Sequence, residues 1–379
     1  MHRYRTWIEI NERALASNIE TLRSMLEEQA RFCVVLKANA YGHGFKEVAQ
    51  ICGRNGVDAF AVDNIDEALE LRGLFPSALI IVLGYTLFDR MTDAVKHDIH
   101  LTLYDKEGLA HAEVVAGALA RSLNVHLKIE TGTSRQGVFV DDVEDLLNDL
   151  RRMQHVSLSG VSTHFANIED SGNPQYATMQ FGKFQEAIGR IHDYGFTPEF
   201  IHCACSAAII IYPDTHGTLV RSGISTYGIW SSDLVASTVR DRHLKCDLEP
   251  VLSWKTRVAQ VKSYPVGTPI SYGLTEVLKK RSRVAVLPVG YSDGYDRRLS
   301  SVGEVIIKGY RCKVLGRVCM NMMMVDVSDV PDLQKEDEVM LLGKEGRHVV
   351  SAEFLAIKAG TIPYELLARI NPTLPRIVV

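Results

Sequence analysis

Residues 34–44 read VVLKANAYGHG, with a lysine set directly after an apolar run and directly before a loop of small residues. Extended upstream the run is FCVVLK (32–37), a strand candidate that ends on its most hydrated side chain. Seven further runs share this texture: DAFAVD (58–63), LIIVLGY (79–85), HLTLYD (100–105), NVHLKIE (124–130), LSGVSTHF (158–165), FIHCACS (200–206) and LVRSGIS (219–225). Patterned polar segments of helix length, such as FDRMTDAVKHD and QFGKFQEAIGRIHDYG, lie between them. Strand followed by helix, eight times over, predicts an α/β fold built on an eight-stranded β/α (TIM-type) barrel. Ahead of the first unit, Asn11 is placed to cap a helix whose apolar residues Leu15, Ile19, Leu22 and Leu26 follow helical spacing.

The texture changes after the polar stretch SSDLVASTVRDRHLKCDLEP (231–250). Runs such as KTRVAQVKSY, RSRVAVLPVG, EVIIKGYRCKVLG and NMMMVDV, punctuated by Gly and Pro, predict a second, mostly β C-terminal domain. The expected division is a barrel over 1–235 and a β domain over 236–379.

Composition narrows the function. A chain of 379 residues, 46% hydrophobic and 23% charged, is long enough for two domains with sizeable cores. A formal charge of -4, with acids and bases mixed, leaves no stripe of one sign for nucleic acid or anionic lipid, so neither is an expected partner. Seven irregularly spaced cysteines, mostly inside apolar runs, read as reduced core thiols. The opening MHRYRTWIEI is charged where a signal peptide needs its apolar core, and no run approaches the roughly 20 apolar residues needed to cross a bilayer. Together these features point to the cytoplasm.

In such barrels catalytic groups sit at the C-terminal ends of strands, which is where Lys37 falls. An amine held against apolar walls sheds its proton more readily and can attack a carbonyl to form a Schiff base, pointing to pyridoxal phosphate. The competing reading is a snorkelling lysine at the barrel rim. Ser206, at the end of strand seven, and Gly223 with Ile224, at the end of strand eight, fall where these barrels build phosphate sites; Tyr41 adds a phenol. Arg221, on strand eight, can only donate hydrogen bonds. Facing a pyridine nitrogen it would oblige that nitrogen to accept; the alternative is an ion pair at the barrel mouth. His202, Cys203 and Cys205 raise a metal reading, but alternation along a strand sends 202 to the opposite side from 203 and 205, so no metal is expected. His43, His164 and His202 raise a pH switch, with loop packing the simpler role for His43.

VVLKANAYGHG, LKIETGTSRQG, STHFAN, HCACSAA, LVRSGISTYG, PISYGLT, LPVGYSDGYDR, GRVCMN and IPYE occur in the order and approximate spacing of the bacterial alanine racemases. The resemblance runs from about Thr6 to Arg369. It implies an isomerase that interconverts L- and D-alanine with pyridoxal phosphate and supplies D-alanine to peptidoglycan synthesis. By the resemblance, Lys37 holds the cofactor and is the base on one face of the substrate, and Tyr272 works on the opposite face. A phenol must be tuned by positive neighbours to act as a base near neutral pH, and His164, His202 and Arg221 match that role. Arg135 matches the arginine near the cofactor phenolate and the substrate carboxylate. Tyr41, Ser206, Gly223, Ile224 and Tyr364 match phosphate contacts, while Met320 and Tyr291 match residues near the substrate carboxylate and the site entry. Lys128 matches a lysine carbamylated in many members, whose negative charge would hold Arg135; the alternative is an ordinary pair with Glu130 or a nearby acid. The resemblance also implies a homodimer with shared active sites, in which the tyrosine of one copy completes the site of the other.

Departures bear on specificity. Cys205 stands where asparagine is common, Asn321 where aspartate is usual, and the strand-five loop reads TGTSRQG without a methionine after its first glycine. A broader or serine-preferring racemase is therefore the second reading, although Tyr364 should restrict the side-chain pocket toward alanine. A two-domain decarboxylase ranks behind both, because that class places a carboxylate where Arg221 stands. A non-catalytic pyridoxal phosphate carrier is a single barrel, and the β domain argues against it.

Overall fold

All eight strand candidates of the first two thirds form strands in the computed structural model, which describes residues 3–379. They are β1 (Arg31–Val35), β2 (Ala59–Val62), β3 (Leu79–Val82), β4 (His100–Leu103), β5 (Leu123–Glu130), β6 (Val156–Ser162), β7 (Phe200–His202) and β8 (Leu219–Ser222). Each pairs in parallel with the next, from β1 to β7, and β8 pairs in parallel with β1. Between β7 and β8 the N–H of Thr218 donates to the carbonyl of Ile201 at 3.0 Å and that of Arg221 to Ala204 at 3.0 Å. The eight strands thus make a nearly closed barrel. Strands β2, β3, β4 and β8 are buried at every residue, as expected where both faces of a parallel sheet are covered. The helix expected after Asn11 spans Glu12–Ser24, and the Asn11 side chain accepts the N–H of Ala14 at 3.0 Å.

The chain leaves β1 through a turn that no glycine relieves. Ala38, Asn39, Ala40 and Tyr41 all have φ between 52 and 56°, a single left-handed helical turn over Lys37–Tyr41. Such a turn costs roughly 1–2 kcal/mol per residue for L-amino acids, so tertiary contacts must hold it. His43, fully buried, donates Nδ1–H to the carbonyls of Ala40 at 3.1 Å and Tyr41 at 3.0 Å. The Asn39 side chain accepts the N–H of Phe45 at 2.8 Å, and Arg376 donates to the carbonyl of Gly42 at 2.9 Å. A Cβ on Gly42 would stand 2.0 Å from the carbonyl oxygen of Leu367, so only glycine lets the backbone pass there.

The β domain is a ten-stranded sheet. Its strands lie in the order Gln260–Tyr264, Ser282–Leu287, Met323–Asp326, Tyr310–Leu315, Glu304–Ile307, Glu338–Glu345, Leu252–Arg257, Thr6–Ile10 and Arg376–Val378, with His348–Val350 on the strand Glu338–Glu345. The N-terminal strand TWIEI was not foreseen. It pairs antiparallel with Leu252–Arg257 and parallel with Arg376–Val378, and it buries Trp7, Ile8 and Ile10.

The compact units do not divide between 235 and 236. One comprises the N-terminal residues to Ala14, Ala38–Val48 and Pro250–Val379; the other comprises Leu15–Lys37 and Ala49–Glu249. Position 235 lies inside helix Asp233–Asp241, capped by Ser232, whose apolar Val235, Ala236 and Val239 are buried. The polar composition of 231–250 concealed that helix.

Candidate active site

Within the barrel unit, β1 ends at Val35 and Lys37 follows two residues later. Lys37 is half-buried, rather than enclosed by the apolar walls expected for it. Its approach is fixed from below: the N–H of Leu36 donates to Ala61 at 2.9 Å, and the phenol of Tyr227, itself fully buried, donates to Val35 at 2.7 Å. Tyr227 was missed by sequence reasoning although it closes LVRSGISTYG.

Arg221 is buried rather than placed at an exposed rim. Its Nη1 donates to the ring Nδ1 of His202 and to the His202 carbonyl at 2.9 Å; Nη2 donates to the carbonyls of Thr163 at 2.9 Å and Cys203 at 3.4 Å. Burial, then the charge of Arg221, holds both His164 and His202 well below the usual imidazole range. Of the three expected positive neighbours, Arg221 alone therefore carries charge at neutral pH. Burial disfavours the charged form of both rings, and the buried guanidinium beside them makes a second cation costlier still. Burial also pushes Cys203 up to about 12 and Cys205 to about 11, and the Cys203 thiol donates to Thr215 at 3.1 Å.

Lys128 forms no ion pair among the described residues. Burial, then Arg221 and Arg135, drive its amine well below the ordinary lysine range. The alternative pairing with Glu130 is not made, and that carboxylate is engaged by the loop after β5. It accepts the N–H of Gly132 at 2.5 Å and of Arg135 at 3.2 Å. Burial alone would raise Glu130, but these donors with those of Ser134 and Thr133 hold it below its usual value. The side chain of Arg135 is exposed.

Ser206 begins the short helix Ser206–Ile211, with Cys205 at its N-cap. The buried Ser206 Oγ accepts the N–H of Gly223 at 3.0 Å and of Ser225 at 3.3 Å, joining the ends of β7 and β8. Ile224 opens the 3₁₀ turn Ile224–Tyr227, so its N–H is one the turn does not satisfy internally.

Within the β unit the predicted residues form two groups. Tyr41 and Tyr364 lie with ring centroids 6.1 Å apart. Tyr272, Tyr291 and Met320 belong to one loop cluster: Tyr291 N–H donates to the Cys319 carbonyl at 3.0 Å, Ser292 N–H to the Met320 carbonyl at 3.0 Å, and Ser271 Oγ meets Cys319 Sγ at 3.6 Å. Asn321 donates to Ser292 Oγ at 2.5 Å. Tyr272 sits on a strained turn, with Ser271, Gly273 and Leu274 at φ of 67, 72 and 52°, and is 72% exposed.

The barrel unit therefore offers a lysine amine at a strand end, a buried donor-only guanidinium, and a hydroxyl beside backbone N–H groups, while the β unit offers an exposed phenol. These are the parts of acid–base chemistry on an anionic carbonyl cofactor. Residues 10–231 match the family of alanine racemase N-terminal domains, and residues 251–378 the alanine racemase C-terminal domain. The alanine racemase of Methanococcus maripaludis is 38% identical over 372 residues, 98% of each chain. The solved alanine racemase of Clostridium difficile 630 superposes with a TM-score of 0.93 at 33% identity, over 100% of this chain and 97% of that one. A histidine racemase from Leuconostoc mesenteroides gives 0.89 at 27% identity, over 100% and 99%. By both halves of its sequence, at full length, and by its fold, the chain belongs to the alanine racemase family and is an amino-acid racemase.

Proposed function

We propose that the chain interconverts L- and D-alanine by a two-base mechanism, with pyridoxal phosphate attached to Lys37. Arg221 is the observation that carries this reading. A guanidinium only donates, so a pyridine nitrogen held against it would have to accept, and a cofactor ring bound in that state would supply only weak electron withdrawal, which suits return of a proton to Cα. Within the barrel unit, Ser206 with the backbone of Gly223 and Ile224 suits its phosphate, and the family resemblance assigns further phenols to Tyr41 and Tyr364. Bound there, pyridoxal phosphate supplies acidification of the substrate Cα–H.

Inversion requires a proton to leave one face and return to the other, so two groups must flank Cα. Lys37 serves one face and Tyr272 the other. Arg135, Met320 and Tyr291 address the substrate carboxylate and the entry, with Arg135 also reaching the cofactor phenolate. Lys128 is carbamylated: burial, then the charges of Arg221 and Arg135, lower its amine well below the ordinary lysine range, which favours the uncharged form that reacts with carbon dioxide, and the resulting anion holds Arg135. His164 and His202 act as uncharged hydrogen-bond partners.

A second copy of the chain completes each site. The exposed Tyr272, Leu274, Met320 and Met322 in one stretch of loops support this, since such apolar exposure marks an interaction surface. Seven free cysteines support a reducing cytoplasm. Alanine ranks first as substrate. Cys205 and Asn321 keep a broader or serine-preferring specificity as the second reading, and the histidine racemase of the same fold adds histidine to the test.

The deciding experiment is borohydride reduction with peptide mass spectrometry, alongside D-amino acid formation from L-alanine, L-serine and L-histidine. Reduced cofactor on Lys37 with fastest turnover of alanine is expected. Faster turnover of another amino acid moves the specificity, and absence of cofactor on Lys37 overturns the mechanism.

A further inference from the structure

Three histidines run in series through the barrel interior to Arg221. Nδ1 of His202 takes a hydrogen bond from the guanidinium, the two rings His202 and His126 meet Nε2 to Nδ1 at 2.7 Å, and His126 Nε2 meets His100 Nδ1 at 3.0 Å. His126 and His202 are fully buried and His100 nearly so. Because Arg221 can only donate, the direction of the whole series is set. His202 Nδ1 must accept, its Nε2–H must donate to His126 Nδ1, and His126 Nε2–H must donate to His100 Nδ1.

The fold is shaped around this series. β5 and β7 are not neighbours, since β6 lies between them, and the ring of His126 reaches His202 only because residue 160 of β6 is glycine. A Cβ there would stand 2.4 Å from His126 Nδ1. The β5–β6 register shifts between Val125 and His126, a bulge of the kind that re-aims a side chain. Phe200 stacks flat on His126, with centroids 5.7 Å apart at 8°, and stands edge-on to His100 at 6.0 Å.

We propose that His100, His126 and His202 form a proton-ordered chain that positions the guanidinium of Arg221, with His126 and His100 as positioning residues remote from the substrate. All three rings are uncharged with their hydrogens on Nε2. A proton added to any ring would set two donors against each other and disrupt the order toward Arg221. Burial opposes that proton in each ring and brings His100 down to about 4. The charged or titratable groups around the chain are Arg221 and Lys128 near His202 and Asp98, Arg72 and Arg31 near His100, and of these Lys128 is itself driven well below the ordinary lysine range. What Arg221 is positioned for rests on the cofactor reading above; the proton order does not.

The test is imidazole ¹⁵N NMR of the purified full-length protein from about pH 6 to about pH 9, a range in which an ordinary histidine titrates. Three uncharged Nε2–H rings throughout are expected. A charged ring or an Nδ1–H form in any of the three overturns the proposal. His100→Leu removes the terminal acceptor, and His126 and His202 should then change their nitrogen shifts while kcat falls roughly 10- to 100-fold with KM little changed. His100→Asn, whose amide oxygen can take the place of Nδ1, should recover most of that loss. Unchanged His202 shifts with kcat within about twofold in His100→Leu would equally overturn the chain. Ordered rings in a protein that racemises no amino acid would leave the chain standing and defeat the racemase mechanism.

Discussion

The phenol of Tyr227 donates to the carbonyl of Val35 at 2.7 Å, two residues before Lys37. The bond joins the turn after β8 to the end of β1, so the closing segment of the barrel holds the strand that delivers the lysine. Tyr227→Phe leaves that buried carbonyl short of a partner and should cost about 1–3 kcal/mol in denaturant unfolding. Lys37 should still be labelled by borohydride, but kcat should fall severalfold because the amine is less well placed. Undiminished kcat at reduced stability would show that Tyr227 acts on the barrel alone.

Tyr272 is carried by three residues with positive φ on a loop of the β unit, far in sequence from Lys37. If the two groups divide the faces of Cα as the family assigns them, Tyr272→Phe should reduce exchange of the Cα proton of L-alanine by about 100-fold or more. Exchange starting from D-alanine, which uses Lys37, should suffer less. Single-turnover exchange in deuterated water measures both, and equal losses would remove the assignment.

The features legible in the sequence were those with local causes. Eight β-branched runs separated by helix-length segments give the barrel, and Asn11 before Leu15, Ile19 and Leu22 gives the first helix. What escaped depends on partners distant in the chain. TWIEI pairs with Leu252–Arg257 across some 250 positions, which leaves no periodic trace near residue 6. The left-handed turn after Lys37 is written in alanine and asparagine, where positive φ is read from glycine, because its support comes from His43, Asn39 and Arg376. His126 and His100 look like polar members of alternating strands. Only the folded barrel sets them in line with His202. The charge state of His164 and His202 was likewise hidden, since it follows first from their burial in the folded barrel and then from the nearby charge of Arg221.

Lys128 gives a pH-dependent prediction. Its folded value is lowered, first by burial, so in the window between that value and the ordinary lysine range the unfolded chain holds one more proton. Stability therefore rises with pH across that window, and at neutral pH the lysine is a burden. In buffer depleted of carbon dioxide, Lys128→Met should be more stable than the parent near pH 7, with the gap closing as the pH approaches about 10. Added bicarbonate should close it at neutral pH as well, because a carbamate faces Arg221 and Arg135 as an anion. A gap indifferent to bicarbonate would exclude the carbamylated form.

His43 gives the opposite region of the pH scale. It is fully buried, and burial brings it down to about 4 despite the carbonyls of Tyr41 and Ala40, which favour its proton-bearing Nδ1. Between the unfolded value of about 6.5 and the folded one the unfolded chain binds the extra proton, so stability falls as pH drops through this window. The span of roughly 2.5 units corresponds to about 3 kcal/mol at full protonation. In His43→Asn the amide can still donate to the two carbonyls but does not titrate. Near pH 7 it should be the less stable protein, having lost ring packing beneath the left-handed turn. As the pH falls toward 4 the parent loses stability that the variant does not, so the difference between them should shrink or change sign. Parallel unfolding curves at about pH 7 and about pH 4.5 decide it. A difference that stays constant would mean that the ring is already charged in the folded protein, or that the turn opens before the histidine titrates.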